Sequence, residues 1–413
     1  MFNCITRNLF SKFMLGIALI FTILVVTACS SNSKQVQIDE STESPIVLTP
    51  TLLPLDSTNL PPMHPLPTPS SGRLVWVYRP EQFKVSPLTS AAYSDGVIYI
   101  GASESYNKGK VLALDANNGN LLWSFEHQGH TPSTPAIENG IVYVGSEDHN
   151  LYALDASNGS LIWSLSTGGH IRSKPVIYNG FVYVDSQDGF LYASDVESGT
   201  LAWRVMTDQP VSDVASRGVI PVSPIVEDKT VLIAGSDNVL MAFDSSKGTL
   251  SWEYELGGQI YASPFATEGA VYIGSLDRAL SKIRISDGSL LWSYKAGRSI
   301  TSTPAVYDEI VFVGSNDGVL YALDARDRRL VWRYDTSESG LGSPVIKEGI
   351  LYISSVDGTL FSLDAFSGSL LATYEIGESI SNKAPAVFNG IVYMVTTDRS
   401  LYAIDMSTPS GSQ

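Results

Sequence analysis

Short hydrophobic runs closed by turn residues repeat along most of the chain. One unit reads STPAIENG (133–140), IVYVGSEDHN (141–150), LYALDASNG (151–159) and SLIWSLSTGG (160–169). Each piece is a β-branched or aromatic run that ends near Gly, Asn or Asp, which is typical of a short strand followed by a tight turn. Alternation is weak at 141–144, so we expect that strand to be buried on both faces. The pattern predicts four antiparallel strands in each unit.

The tryptophans give the period of this repeat. Their successive spacings are 47, 40, 40, 49, 40 and 40 residues, and a further 40 falls on Ala372 in a segment that otherwise matches. Units of about 40 residues with four strands are typical of β-propeller blades. We expect a structural role for every Trp, and the set is Trp76, Trp123, Trp163, Trp203, Trp252, Trp292 and Trp332.

The two ends of the repeat region complete each other. The chain ends after three strands (385–389, 391–396 and 401–405), and a lone fourth strand at 72–76 precedes the first full unit. Pairing them closes one blade from both termini and covers both sheet edges. The sequence therefore predicts an all-β fold at 72–405: a monomeric eight-bladed propeller of four-stranded antiparallel blades, with the last blade closed by the N-terminal strand.

An aspartate recurs at the end of the third strand of each unit, usually followed four residues later by Gly. A short carboxylate accepts backbone N–H bonds in a tight turn, and Gly supplies a positive φ. Carboxylates in register could also be a catalytic or calcium array, but a site is needed once and a turn in every blade. We therefore predict turn capping for Asp115, Asp155, Asp195, Asp244, Asp324, Asp364 and Asp405.

The N-terminal region reads as an export signal and a tether. Residues 1–28 combine Arg7 and Lys12 with a sixteen-residue apolar run, which suits a signal peptide better than a membrane span. Small residues precede Cys29, as in a bacterial lipobox, so we predict a lipoprotein acylated at Cys29; an uncleaved membrane anchor is the alternative. Residues 29–71 are rich in Ser, Thr and Pro and predict a disordered tether, and 406–413 a disordered tail. The body is then held outside a bacterial cytoplasmic membrane, or on an outer membrane if one is present.

Composition excludes several classes of function. The net charge is −16, so the chain lacks the basic surface that follows a phosphate backbone, and we expect no nucleic-acid binding. Both cysteines, Cys4 and Cys29, precede the repeat region. The body therefore has no disulfide, no thiol nucleophile and no cysteine metal site.

The segment ALDANNGNLLW at 113–123 resembles the A-x-D-x-x-x-G-x-x-x-W repeat of the pyrroloquinoline-quinone (PQQ)-like propellers. It recurs at 153–163, 193–203 and 242–252, with degenerate copies at 282–292, 322–332 and 362–372. In that family the Trp packs between blades. Two groups within it matter: the quinoprotein dehydrogenases and the BamB-type outer-membrane assembly lipoproteins. Eight blades, a lipobox and N-terminal closure resemble the second group.

The same resemblance bears on cofactors. Quinoprotein dehydrogenases commonly hold PQQ beneath a vicinal cysteine disulfide and supply a calcium cage from insertions between blades. The repeat region here has no cysteine. We therefore expect neither PQQ nor calcium and no catalytic residue. Against the BamB type, the tether is long and the acidic excess is marked.

Insertions indicate where a site could lie. Compared with the other units, nine extra residues lie between Trp203 and Pro224, three extra residues lie after Trp76, and four lie within 102–110. All three insertions belong to connections at one end of a propeller. Polar residues gather where the first strands begin at that end, and we expect them to ring the mouth of the central channel. Two histidines could bind a metal, but no third ligand is in register, so we predict no metal. Ligand or partner contacts and ordinary solvated loops remain alternatives for His130, His170, Arg172, Gln259, Tyr261, Arg298 and Thr301.

These observations predict a non-catalytic envelope lipoprotein whose propeller binds protein partners through its loop-rich face. A PQQ-dependent oxidoreductase with a degenerate site is one alternative. An extracellular ligand- or polysaccharide-binding sensor is another.

Overall fold

The computed structural model describes residues 70–80, 88–105, 107–207, 222–235, 238–338, 340–380 and 384–407. The predicted signal peptide (1–28), Cys29, nearly all of the tether and residues 408–413 of the tail lie outside the described residues. Within those ranges, no helix has the length and apolar character needed to cross a membrane.

The described residues form short strands joined by turns. The first half of the chain holds β1 (Ser70–Ser71), β2 (Arg73–Tyr78), β3 (Ala92–Ser94), β4 (Val97–Ser105), β5 (Lys108–Asp115), β6 (Leu121–His127), β7 (Ala136–Glu138), β8 (Ile141–Gly145), β9 (Asn150–Asp155), β10 (Leu161–Ser166), β11 (Val176–Tyr178), β12 (Phe181–Ser186), β13 (Phe190–Asp195), β14 (Leu201–Met206), β15 (Ile225–Glu227), β16 (Thr230–Ala234), β17 (Val239–Asp244) and β18 (Leu250–Glu255). The second half holds β19 (Phe265–Thr267), β20 (Ala270–Gly274), β21 (Ala279–Arg284), β22 (Leu290–Lys295), β23 (Ala305–Tyr307), β24 (Ile310–Gly314), β25 (Val319–Asp324), β26 (Leu330–Asp335), β27 (Val345–Lys347), β28 (Ile350–Ser354), β29 (Thr359–Asp364), β30 (Leu370–Glu375), β31 (Ala386–Phe388), β32 (Ile391–Val395) and β33 (Leu401–Asp405).

These strands build eight antiparallel sheets, each the blade of a propeller. Four consecutive strands form each of blades 1 to 7, beginning with β3–β6 and ending with β27–β30. Blade 8 takes β31, β32 and β33 from the C-terminus, and β2 pairs with β33 as its outer strand. The predicted eight-bladed fold, closed by the N-terminal strand, is confirmed.

The folded region extends slightly past the predicted bounds of 72 and 405. Ser70 and Ser71 form the short strand β1, which adds in parallel to the outer strand of blade 7. At the other end Met406 is fully buried in the core between blades 7 and 8. Both termini therefore contribute contacts that hold the closing blade.

The core lies in layers between neighbouring blades. The second and third strands of a blade are largely buried, as in β8 and β25, because another blade packs on each face. The outer strands alternate between exposed and half-buried residues, as in β18. Each hydrophobic cluster joins two adjacent blades; one brings Tyr99 and Val111 of blade 1 against Val142 and Leu154 of blade 2.

Each repeat Trp joins its own blade to the next. The Trp123 indole N–H donates to the carbonyl oxygen of Ala156 at 2.9 Å, and its ring covers Gly159. A Cβ at Gly159 would lie 2.5 Å from Trp123 Cε3, so the position requires glycine for space as well as for its φ of +74°. The same N–H to carbonyl bond, at 2.6–3.1 Å, is made by Trp76, Trp163, Trp203, Trp252, Trp292 and Trp332.

One blade departs from this arrangement. Arg328 occupies the glycine position opposite Trp292, with a φ of +61°. Its guanidinium donates to the carbonyl oxygen of Ser293 in the preceding blade at 2.8 Å. This bond between blades offsets part of the cost of a left-handed conformation in a residue with a Cβ.

A tyrosine of the second strand reinforces several of these contacts. The Tyr183 hydroxyl donates to the carbonyl oxygen of Ser245 at 3.0 Å, and the Trp203 N–H donates to the same oxygen. Burial raises the pKa of Tyr183 to about 12. In blade 6 the equivalent residue is Phe312, so the carbonyl oxygen of Ala365 receives only the Trp332 bond from these two positions.

The register aspartates accept backbone N–H groups in the turn before the outer strand. Asp155 Oδ1 accepts the Ser157 N–H at 2.8 Å, and hydrogen bonds from Ser157 lower the pKa of that carboxyl. Arg284 replaces the aspartate in blade 5, where Asp287 accepts the Ser289 N–H instead. The same contact, to the N–H two residues on, is made by Asp115, Asp195, Asp244, Asp324, Asp364 and Asp405.

The two ends of the propeller differ in what they carry. One end carries the connections between blades, such as 167–174, and the turns between second and third strands, such as 146–149; backbone bonds join the two sets. We call it the connecting face. The opposite face carries the remaining two turns of every blade, such as 139–140 and 156–160.

Candidate functional site: the central channel

The inner strands of the eight blades surround a central channel of about 760 Å³. Its wall is built where the connection from the preceding blade enters the inner strand. In six blades the entrance contains a proline of the wall, as at Pro224 and Pro264. Proline lacks a backbone donor, so it suits the start of a strand that has no neighbour on its inner side.

A belt of hydroxyl side chains lies one residue before the position that Pro224 and Pro264 occupy in their blades. It comprises Ser90, Thr134, Ser223, Ser263, Thr303 and Ser343. The belt is linked from blade to blade: Lys174 N–H donates to Ser223 Oγ at 3.0 Å, and Ser223 N–H donates to Ser263 Oγ at 3.0 Å. Thr303 N–H and Ser343 Oγ form the same bond at 2.9 Å. Side chains that line the channel therefore also hold adjacent blades together.

Three of the seven residues expected at the mouth line the channel. These are Arg172, Tyr261 and Thr301. The Thr301 hydroxyl donates to Asn316 Oδ1 at 3.1 Å, and the Tyr261 hydroxyl lies 3.4 Å from Gln259 Oε1. They come from blades 3, 5 and 6, as their place in the repeat predicts.

The other four, His130, His170, Gln259 and Arg298, lie on the connections and are not among the described residues of the lining. The reason is the local hydrogen bonding. The carbonyl oxygens of His130, His170 and Gln259 each accept an N–H from the turn between the second and third strands of the next blade. Those residues are thereby tied to the rim, outside the ring of inner strands.

Glu147, which sequence reasoning missed, brings three of the candidates together. Its carboxylate pairs with Arg172 at 2.7 Å and lies 4.0 Å from Nδ1 of His130. The His170 Nδ1 contacts the backbone carbonyl oxygen of Glu147, and the His149 ring lies edge-on to His170 with centroids 4.9 Å apart. Only a three-dimensional arrangement could show this cluster, since Glu147 belongs to a turn and its partners to two connections.

Lys174 is the second residue that sequence reasoning missed. It occupies the belt position of blade 3, where most blades have Ser or Thr, and it lines the channel. Lys174 is exposed to the channel, and the surrounding channel wall lowers the pKa of its ammonium group. The signal in the sequence was its place directly before Pro175, the same place as the belt hydroxyls.

The channel does not supply the usual ligands of a divalent cation. No carboxylate is among its described lining residues, which offer hydroxyls, one ammonium and one guanidinium. Nor do the described residues elsewhere contain a group of three or more His, Cys, Asp or Glu placed to hold a metal ion. Calcium prefers several oxygen ligands including carboxylates, so the lining does not fit a calcium-bound quinone.

A largely buried polar cluster joins blades 1 and 2. His127 Nε2 lies 2.8 Å from the Thr131 hydroxyl, and its Nδ1 lies 3.0 Å from Ser146 Oγ and 3.5 Å from Asp148 Oδ2. Burial opposes ionisation of Asp148, but hydrogen bonds from His127 and Tyr152 outweigh it and lower the pKa of that carboxyl. The His127 side chain is only 1% exposed. These hydrogen bonds tie the connection after blade 1 to the turn of blade 2.

Solved structures share this architecture. BamB from Moraxella catarrhalis superimposes with a TM-score of 0.67 at 20% identity, covering 81% of this chain and 99% of that one. The computationally designed Ika8 protein gives a TM-score of 0.68 at 19% identity, covering 80% and 99%. A quinohemoprotein alcohol dehydrogenase from Comamonas testosteroni gives 0.64 at 16% identity, covering 83% and 78%. At these identities the likeness shows the fold alone.

Sequence comparison is more specific. No curated protein sequence matches the chain. Residues 107–264, 256–343 and 338–410 match the model of one family, described as outer membrane protein assembly factor BamB. Together these segments span well over half of the 413 residues. The chain therefore belongs to the BamB family of PQQ-like β-propellers.

Proposed function

We propose that this protein is a non-catalytic lipoprotein of a bacterial envelope that binds protein partners through its connecting face. The matching family is described as outer membrane protein assembly factor BamB. That description supports a location in the envelope and binding to other proteins. Acylation of Cys29 would anchor the chain, and the Ser/Thr/Pro-rich tether would hold the propeller away from the lipid.

The observation that carries the proposal is the hairpin of blade 1. Its strands β4 and β5 have 9 and 8 residues, whereas the second and third strands of the other blades have 5 or 6. The extra length extends the hairpin beyond the turns of the other blades on the connecting face. The segment between β14 and β15 has 18 residues, against nine between β10 and β11, and residues 208–221 of this predicted insertion lie outside the described residues.

The projecting hairpin is held by paired charges. Lys108 contacts Glu104 at 3.0 Å and Glu126 at 3.4 Å, and Lys110 contacts the same two carboxylates at 3.3 and 2.8 Å. Hydrogen bonds from the lysines lower the pKa of both glutamates. Such a network orders the hairpin, and a pre-ordered element loses less entropy when a partner binds.

The test shortens the hairpin to the length of the others. Residues 102–110 are replaced by the sequence of 315–319, the equivalent turn of blade 6, because Gly101–Val111 and Gly314–Leu320 are equivalent strand pairs. Proteins that co-purify with the tagged full-length chain from its own cells are quantified by mass spectrometry. We expect at least a tenfold loss of one or more partners, with the urea midpoint unchanged.

The control is Lys347→Glu, an exposed lysine at the end of an inner strand toward the opposite face. It should leave the set of partners as in the wild type. If the shortened variant keeps every partner, or if the control loses the same ones, the connecting face is not the binding surface.

A further inference from the structure

One cation of the channel has no carboxylate partner among the residues that the structure describes. No carboxylate of the described residues lies within 4.0 Å of the Lys174 ammonium, whereas the Arg172 guanidinium is paired with Glu147 at 2.7 Å. Glu147, which lies outside the lining, neutralises Arg172, so Lys174 is the one lining cation without a carboxylate partner among the described residues. Lys174 is exposed to the channel, where a bound anion would give its charge a partner.

The belt adds hydrogen-bond donors around this cation. Ser223, Ser263 and Ser343 use their hydroxyl oxygens to accept backbone N–H groups of the preceding blade. A hydroxyl has one proton to donate and two lone pairs, so each can still donate its proton. Arg172 Nε, at the mouth, is buried and makes no hydrogen bond. All these groups are donors, and they suit a ligand that only accepts.

Beyond the belt the wall becomes apolar. Val176, Ile225, Phe265, Val306 and Val345 follow the belt along the inner strands. The volume of about 760 Å³ is within the range of small-molecule sites. A bound molecule would meet a positive, donor-rich zone at one level and hydrocarbon at the next.

We propose that the channel binds a small organic monocarboxylate, with its carboxylate on Lys174 and the belt hydroxyls and its apolar body against the inner strands. A single ammonium matches a single negative charge, which favours a carboxylate over a phosphate dianion. This inference does not depend on the partner-binding role, since it concerns the inner strands and not the hairpin of blade 1.

The test uses the full-length protein and matched probes. Acetate, benzoate and 2-naphthoate provide one carboxylate with an increasing apolar body; 2-naphthamide has the same body without charge, and inorganic phosphate has charge without a body. Binding is measured by calorimetry. We expect affinity to rise from acetate to 2-naphthoate and to be at least tenfold weaker for 2-naphthamide and for phosphate.

Two variants assign the charge. Lys174→Met should weaken 2-naphthoate binding at least tenfold, whereas Lys174→Arg should keep most of it. Lys174 is exposed and pairs with no described carboxylate, so the Lys174→Met change should not lower the unfolding midpoint. In the wild type, 2-naphthoate should slow acetylation of Lys174 by acetic anhydride and leave exposed Lys229 unaffected.

The proposal is overturned if none of the carboxylates binds, or if the amide or phosphate binds as tightly as 2-naphthoate. It is also overturned if Lys174→Met folds and binds 2-naphthoate like the wild type. Equal acetylation of Lys174 with and without 2-naphthoate would likewise exclude it.

Discussion

Replacing Gly159 by alanine tests whether packing of the Trp ring holds the blades together. The new Cβ would lie 2.5 Å from Trp123 Cε3, and the residue would keep a φ of +74°. Gly140 is the matched control, because its φ is +75° and nothing lies within 4 Å of its Cβ position. Both variants carry the cost of a left-handed alanine, about 1–2 kcal/mol. Only Gly159→Ala adds overpacking, which costs about 1–3 kcal/mol more.

The assay is urea unfolding of the purified full-length variants, followed by circular dichroism. We expect Gly159→Ala to lose about 1–3 kcal/mol more stability than Gly140→Ala. A double-mutant cycle with Trp123→Leu isolates the contact, since without the indole the two glycine substitutions should cost nearly the same. Equal losses in the presence of Trp123 would show that the indole ring does not resist the added Cβ.

Phe312→Tyr places a hydroxyl at the position where other blades have tyrosine, and in urea unfolding it should stabilise the protein by about 0.5–1.5 kcal/mol. Tyr183→Phe should destabilise the protein by a similar amount. If Phe312→Tyr gives no gain in stability, the hydroxyl does not bond to the carbonyl oxygen that the Trp N–H also contacts. The turn carboxyls such as Asp155 and Asp195 have folded-state pKa values below the usual one, because hydrogen bonds from Ser157 and Ser198 favour the charged form. Their contribution is complete above the unfolded pKa of about 3.9 and is lost as the pH falls through the folded pKa, so the urea midpoint should be flat from about pH 7 to 5 and fall below about pH 4. A midpoint unchanged at about pH 3 would show that these bonds do not contribute. For the proposed lack of catalysis, titration with PQQ and calcium should give no saturable absorbance change and no dye reduction with alcohols; saturable dye reduction would contradict it.

The fold could be predicted because it repeats. One Trp in each of seven blades fixes the blade length, and the unpaired strands at the two ends leave one way to close the ring. The parallel pairing of Ser70 and Ser71 with blade 7 could not be predicted, because it uses backbone groups and leaves no pattern of side chains.

The candidate site could be predicted only in part. Arg172, Tyr261 and Thr301 line the channel because every blade enters its inner strand in the same way. Lys174 was hidden because its environment comes from the other blades and not from its own neighbours in sequence. Glu147 was hidden because it reaches Arg172 across two loops.

Site-specific photo-crosslinking in the protein's own cells tests the partner-binding claim most directly. A benzophenone amino acid is placed at Lys108, on the projecting hairpin, and in a second variant at Lys347, toward the opposite face. We expect a discrete adduct with another envelope protein from position 108 and none from position 347. No adduct at 108, or the same adduct from both positions, would contradict it.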